Sequence, residues 1–259
     1  DREHDRFIRC DLGKETKKIP INDLLQDSKQ RLWLGTSYGL CLFDPESGHA
    51  RWYVHDPLNV NSLSNDIIFR LSIDSSDNLW IATFGGGLNK FSPESGIFTR
   101  FVHEENNPST ICSNKIKSVL VDKTGLVWVG SFDQGLTLLD AKGNVLRQFR
   151  HLTRSNEPIK SDVTCIYEDK NGTIWVGIKG RVLYYKERGS EDFQPFSNTP
   201  FKSPGLQCVS ITSVCEDTFG NIFFTSQSHG MFRSNVHKNQ FRHYYKGEGV
   251  NRMLNRNVV

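Results

Sequence analysis

One phrase returns five times along the chain, and it limits the possible folds more than any other feature. DSKQRLWLGTSYGLCLFD begins at Asp27, DSSDNLWIATFGGGLNKF at Asp74, DKTGLVWVGSFDQGLTLLD at Asp122, DKNGTIWVGIKGRVLYYK at Asp169 and DTFGNIFFTSQSHGMFRS at Asp217. The aromatics Trp33, Trp80, Trp128, Trp175 and Phe223 each follow their Asp by six residues and are spaced by 47, 48, 47 and 48. A period of about 40–50 residues made of short strand-like pieces points to a propeller, solenoid or array, not to one central core.

Each period divides into four pieces. The first, such as 67–73 or Val163–Glu168, ends in Asp and a turn whose fourth residue is Gly125, Gly172 or Gly220, with Gln30 and Asp77 in the first two copies. An Asp start followed by a residue tolerant of positive φ is a tight hairpin signal. The second piece carries the Trp, as in Leu79–Thr83. A glycine-containing loop leads to a third, as in 88–91, and turns such as Pro45-Glu46-Ser47-Gly48 and Pro93-Glu94-Ser95-Gly96 lead to a fourth, as in 98–103. Four antiparallel strands per period make one propeller blade. The expected fold is therefore an all-β β-propeller with four-stranded antiparallel blades. Five complete blades are expected at about 21–56, 65–104, 113–151, 161–197 and 208–245. Residues 1–20 and 246–259 read as pieces of flanking blades, so the chain is expected to be one segment of a larger propeller.

The three glycines Gly85, Gly86 and Gly87 could suggest a phosphate cradle. Such a loop needs wider glycine spacing and a helix after it. Here Leu88-Asn89-Lys90-Phe91 alternates apolar and polar residues like a strand. The glycines are read as the connection between the second and third strands of a blade.

Composition narrows the function classes. A net charge of +3 without a long basic run argues against nucleic acid. No apolar run reaches the roughly 18–20 residues a membrane-spanning helix needs. Six cysteines, Cys10, Cys41, Cys112, Cys165, Cys208 and Cys215, show no Cys-x-x-Cys pair or zinc-like spacing. Cys41, Cys165 and Cys215 fall inside strand patterns and read as buried thiols acting as small hydrophobes, with a Cys208–Cys215 disulfide as the alternative.

The phrases NSLSNDIIFRLSIDSSDNLWIATFGGGLNKF and STICSNKIKSVLVDKTGLVWVGSFDQGLTLLD resemble the two-component regulator propeller repeat, over essentially residues 21–245. Two copies depart from the pattern: Phe223 stands for Trp and Thr225 for Gly, and Ile178 stands where Thr or Ser is usual. The resemblance implies a seven-bladed parent propeller in the periplasmic sensor region of a hybrid two-component system of the kind found in gut Bacteroidetes. It further implies an inner-membrane protein that recognises a glycan breakdown product and signals across the membrane. Two propellers and a Y-shaped β-sandwich domain would form its ectodomain, and the sensor would be a homodimer. The histidine kinase activity would lie elsewhere in the parent chain.

Repeated residues and unrepeated ones carry different meanings. Asp27, Asp74, Asp122, Asp169 and Asp217 recur at one turn position and are read as accepting backbone N–H groups of their own turns, not as catalytic acids. No Gly-x-Ser-x-Gly elbow or His-Glu-x-x-His motif is present, so no catalytic residue is assigned. His55, His103 and His151 recur at intervals of 48 and invite a metal reading. Three inter-strand gaps of about 4.8 Å place a fourth strand roughly 14 Å outside the first, where equivalent positions diverge around the disc. No metal and no cofactor are assigned. The Trp series is read as packing between blades, not as sugar-stacking platforms.

Loop residues that differ between copies are the better candidates for recognition. The second-to-third-strand loops and the long links into each first strand, including Asn65-Asp66, Asn114-Lys115 and Ser161-Asp162, are expected on one face of the disc. On that face Tyr38, Phe84 and Phe132 are expected at comparable positions, offering apolar faces to a sugar ring. Asp133, Lys179 and Arg181 would supply hydrogen bonds, with Gln134 and His229 beside them. The reading is a non-enzymatic segment that binds an oligosaccharide and packs on the remaining ectodomain. The alternatives are a propeller glycoside hydrolase or polysaccharide lyase, for which Asp66, Asp133 and Asp162 would be the carboxylates, and a protein-binding scaffold.

Overall fold

The computed structural model describes residues 10, 12, 19–152, 158–181, 183–196, 210–235 and 240–244. Both expected end pieces lie almost wholly outside these residues, as does Cys208.

Five four-stranded antiparallel sheets follow one another in chain order, each a meander. Blade 1 is β1 (Ile21–Gln26), β2 (Leu32–Thr36), β3 (Gly39–Phe43) and β4 (Ala50–Tyr53). Blade 2 is β5 (Ile68–Ile73), β6 (Leu79–Thr83), β7 (Leu88–Ser92) and β8 (Ile97–Phe101). Blade 3 is β9 (Ile116–Val121), β10 (Val127–Ser131), β11 (Leu136–Leu139) and β12 (Val145–Phe149). Blade 4 is β13 (Val163–Glu168), β14 (Ile174–Ile178), β15 (Tyr184–Lys186) and β16 (Gln194–Pro195). Blade 5 is β17 (Ile211–Glu216), β18 (Asn221–Ser226), β19 (Met231–Asn235) and β20 (Gln240–Tyr244). The first strands β1, β5, β9, β13 and β17 lie beside one another in that order. The fold is the β-propeller that the repeat predicts.

The core is divided among the spaces between blades. Trp33 and Leu40 of blade 1 pack on Ile68, Leu79 and Phe91 of blade 2. Trp80 and Leu88 meet Ile116, Val127 and Val129 of blade 3. Trp128 and Leu136 meet Val163, Ile174 and Val176 of blade 4. Trp175 meets Ile211, Ile222 and Phe224 of blade 5. Each Trp is thus buried against the following blade, which is where a large flat side chain removes the most apolar surface from water.

The turn after each first strand is built by its Asp. Asp169 Oδ1 accepts the backbone N–H groups of Asn171 and Thr173, both at 2.9 Å. Asp27, Asp74, Asp122 and Asp217 repeat the arrangement. The fourth turn residue has positive φ in every blade, including the non-glycine Gln30 at 64° and Asp77 at 60°. The second carboxylate oxygen has a role that the sequence reading missed. It accepts the indole N–H six residues on, at 2.9 Å from Trp33, 2.8 Å from Trp128 and 3.0 Å from Trp175.

Neighbouring turns are tied together on this face. Lys123 donates its backbone N–H to Glu168 and its ammonium to the Asp169 carbonyl, and Lys170 does the same to Glu216 and Asp217.

Cys41, Cys112 and Cys165 are buried, and desolvation pushes the Cys165 thiol up to about 11. Cys215 departs from expectation and is exposed, because its position on β17 alternates away from the core-facing Val214.

Candidate functional site

The two groups of loops do form one face, and they are hydrogen-bonded to each other. Gly39 N–H donates to the Asp66 carbonyl at 2.8 Å, and the N–H groups of Gly85 and Gly87 both donate to Asn114 at 2.9 Å. The triple glycine therefore spends its backbone donors on a neighbouring link. Gly87 has φ of 74°, and a Cβ there would lie 2.3 Å from the Phe101 carbonyl, so no other residue fits without a shift.

Beneath this face every first strand carries a bulge at the same place. The pairing register skips Asn22, Phe69, Lys117, Thr164 and Thr212. A bulge leaves one residue without a cross-strand partner and re-aims its side chain. Directly above, the N–H groups of Ser37, Phe84, Phe132, Lys179 and Gln227 donate to the carbonyls of Pro20, Ile67, Lys115, Asp162 and Ser210. Backbone geometry is shared across each row of five, while the side chains differ.

This register corrects one expectation. The equivalent of Phe84 and Phe132 in blade 1 is Ser37, and Tyr38 stands one residue further along. Tyr38 is exposed and, among the described residues, makes no ring contact with the phenylalanines. Lys179 is the true counterpart of Phe84 and Phe132 in blade 4.

Blades 2 and 3 meet in an aromatic cluster. Ring centroids are 6.0 Å apart for Phe69–Phe84 and 5.1 Å apart for both Phe69–Phe132 and Phe84–Phe132, all edge to face. Phe84 is 37% exposed, so part of its ring faces solvent. Lys117 places its ammonium 4.0 Å from the Phe69 ring and 5.1 Å from the Phe132 ring. Such an approach is attractive because the ring faces are negative. Burial lowers the Lys117 pKa from the usual lysine value, Asp162 acts to raise it, and Arg70 and Lys179 lower it further.

The remaining candidates are distributed around this cluster. Lys179 lies 3.8 Å from the Asp162 carboxylate, and Arg181 donates to the Pro158 carbonyl at 3.3 Å. Arg70 pairs with Asp23 at 3.3 Å. Asp133 is turned into a separate cavity of about 470 Å³ between blades 2 and 3, which His103, Asn106, Gln134, Gln148 and Arg150 also line. Its Oδ1 is buried without a hydrogen-bond donor. Asp66, another carboxylate considered for catalysis, accepts the His55 N–H at 2.6 Å. Neither Asp66 nor Asp162 lines the cavity that holds Asp133. His55 and His103 donate Nδ1–H to the carbonyls of Leu63 and Ile111 at 2.8 and 2.7 Å, so they anchor the links between blades.

Phe69, Lys117 and Arg70 were not singled out by the sequence reading. The signal for Phe69 and Lys117 was available: positions 22, 69, 117, 164 and 212 keep the repeat spacing, yet hold Asn, Phe, Lys, Thr and Thr.

The two-component regulator propeller family matches residues 18–38 and 158–180. The chain carries these repeats. No curated protein matches it. Among solved structures it resembles the extracellular domain of a hybrid two-component system from B. thetaiotaomicron, with a TM-score of 0.78 at 21% identity, covering 98% of this chain and 33% of that one. It also resembles PorZ, a surface component of the type-IX secretion system of Porphyromonas gingivalis (TM-score 0.67, 14% identity, 92% and 35% covered). A third resemblance is to virginiamycin B lyase from Staphylococcus aureus (TM-score 0.59, 14% identity, 83% and 65% covered). The chain spans about a third of the length of the first of these. At such identities the likeness is one of fold, and a fold shared by a sensor, a secretion component and a lyase does not name a function. Among the described residues, no helix is long and apolar enough to cross a membrane.

Proposed function

We propose that this chain is a ligand-sensing segment of a hybrid two-component system, and that an oligosaccharide binds its loop face. The observation that carries the reading is the partly exposed Phe84 ring, braced by Phe69 and Phe132 and surrounded by side chains that differ from blade to blade. A sugar ring can stack its C–H face on such a platform, and polar groups around it fix orientation. Lys179 and Arg181 are the flanking donors, while Tyr38 and Asp133 would contact a ligand long enough to extend beyond the cluster. The two-component regulator propeller repeats support the sensor role.

The segment would act by binding, in the periplasm, as part of an inner-membrane homodimer whose histidine kinase lies elsewhere in the parent protein. Remaining ectodomain of the same chain would pack against it. Ligand must then favour one arrangement of the dimer over another, since equal affinity for both shifts nothing.

Calorimetric titration of the full sensor with a glycan panel tests this reading. Phe84→Ala is expected to weaken binding at least tenfold, equivalent to about 1.4 kcal/mol, without loss of folding. Unchanged binding in Phe84→Ala, Lys179→Ala and Arg181→Ala, with abolition by a change in another domain, would move the site off this segment.

A further inference from the structure

We propose that the ligand is an anionic sugar, bearing a carboxylate or sulfate, and that Lys117 is the residue that holds the anionic group; this rests on the loop-face reading above. The cations near the cluster are not equivalent. Arg70 faces Asp23 at 3.3 Å and Lys179 faces Asp162 at 3.8 Å. Lys117 has two phenyl rings against its ammonium, and among the described residues no oxygen lies within hydrogen-bonding distance of it. An ammonium carries three N–H donors. Ring faces attract its charge but leave those donors for a group arriving from solvent.

The position adds a second reason. In three neighbouring junctions a side chain from one blade caps a first-strand carbonyl of the next: Asn22 donates to Ile68 at 2.7 Å, Ser118 to Val163 at 2.9 Å, and Thr164 to Ile211. At the junction of blades 2 and 3 no blade 2 side chain donates to Ile116 among the described residues, and Phe69 with Lys117 occupies the place instead. A neutral polar seam has been replaced by a half-buried cation, which burial penalises unless something compensates. Perturbed groups of this kind concentrate at functional sites. A sugar acid or sulfated sugar combines the two features on offer: a C–H face for Phe84 and an anionic group for Lys117.

The test uses the full sensor chain and a panel of oligosaccharides in three sets: uronate-containing, sulfated and neutral. Binders are expected in the anionic sets, with Lys117→Met weakening them at least tenfold and Lys117→Arg retaining most of the affinity. A uronate-only or a sulfate-only result identifies which group is recognised, and either supports the inference. Neutral binders that are insensitive to Lys117→Met would overturn it while leaving the glycan reading intact. Absence of any binder would overturn both. Unliganded Lys117→Met should melt close to the parent, because relief of the desolvated charge offsets the lost contacts with the two rings. A clear loss of Tm would assign Lys117 a structural role and also overturn the inference.

Discussion

Trp80 is the internal control for the Asp–Trp hydrogen bond. Trp80 and Trp175 are both buried and occupy the same place in the second and fourth repeats. Trp175 donates to Asp169 at 3.0 Å, whereas the Trp80 indole N–H is buried without an acceptor. Asp74 is taken up by Asn78 Nδ2 and Lys90 Nζ, both at 3.0 Å. Changing either Trp to Phe removes the same volume, so the packing cost is shared between the two variants. Trp175→Phe also loses a hydrogen bond to a charged group, about 1.5–3 kcal/mol, and strands a carboxylate oxygen. Trp80→Phe removes a buried orphan donor, and weakens the contact of Lys90 with the ring, about 0.5–1 kcal/mol. The net expectation is that Trp175→Phe destabilises the protein by about 2–3 kcal/mol more than Trp80→Phe, a Tm gap of about 4–12 °C. Urea unfolding followed by far-UV circular dichroism measures the difference. A rescue sharpens it: blade 5 already has Phe223, with Asn221 Nδ2 on Asp217 at 2.6 Å. Adding Thr173→Asn to Trp175→Phe should therefore recover part of the loss. Equal losses for the two single variants, or a larger one for Trp80→Phe, would refute the assigned role of the Asp.

Two further outcomes follow from the turn face. Gln30 sits at φ of 64°, a left-handed conformation that disfavours side chains by about 1–2 kcal/mol, so Gln30→Gly should stabilise the protein by up to about 1 kcal/mol after the entropy of glycine is subtracted; a lower urea midpoint would contradict this. Burial opposes ionisation of Asp27, but hydrogen bonds from Trp33 and Arg31 and the Arg31 charge outweigh it and hold its carboxyl below the usual aspartate value. A depressed folded pKa gives stability that is fully present above the unfolded value and is lost as pH falls through the folded one. Acid titration of stability below about pH 4 should consequently be shallower in Asp27→Asn than in the parent, and parallel curves would show that the ionised form is not favoured by folding.

The repeat made the scaffold legible because its spacing survives every substitution. Asp and Trp recur at fixed separation, apolar residues flank each Trp, and turn residues punctuate each strand, so blade number and strand order follow without any tertiary information. What local pattern did not reveal was the hydrogen bond between Asp and Trp. It spans six residues and joins two strands, and neither strand alternation nor turn chemistry requires it. Its exceptions can now be read from sequence: Asn four residues after the Asp, at Asn78 and Asn221, takes the second oxygen, and the aromatic there is either unpartnered Trp80 or Phe223. The site was harder to see. Phe84 and Phe132 were recognised as loop residues, but their bracing partners Phe69 and Lys117 lie in strands that look like ordinary alternating segments. Bulges reverse that appearance, since one extra residue per strand turns a side chain that alternation alone would assign elsewhere. The misplacement of Tyr38 has the same origin: one residue of register separates it from Ser37, the true counterpart of Phe84.

The two faces of the disc differ in how far their contacts repeat from blade to blade. On the turn face, Lys123 and Lys170 link the turns of blades 3 to 5 by the same two bonds, and the Asp turns of all five blades use the same two backbone donors. The Asp turns can be repeated in every blade because their donors are backbone N–H groups common to all copies. On the loop face the common backbone bonds end at the N–H groups of Ser37, Phe84, Phe132, Lys179 and Gln227. Their side chains, and those of the bulge residues beneath, are not needed to form the strands, so substitutions there alter what the face presents while leaving the blades intact. The junction of blades 2 and 3 is where this freedom has been used most. Three polar junctions cap a carbonyl across the gap, and this one holds three phenyl rings and an ammonium in the same space. A junction that gives up a repeated hydrogen bond and accepts a desolvated charge has departed from what the fold alone requires. That departure supports the proposed site better than exposure does, because exposed aromatics occur on many surfaces, whereas among the described residues a substitution of the seam between blades is confined to one junction.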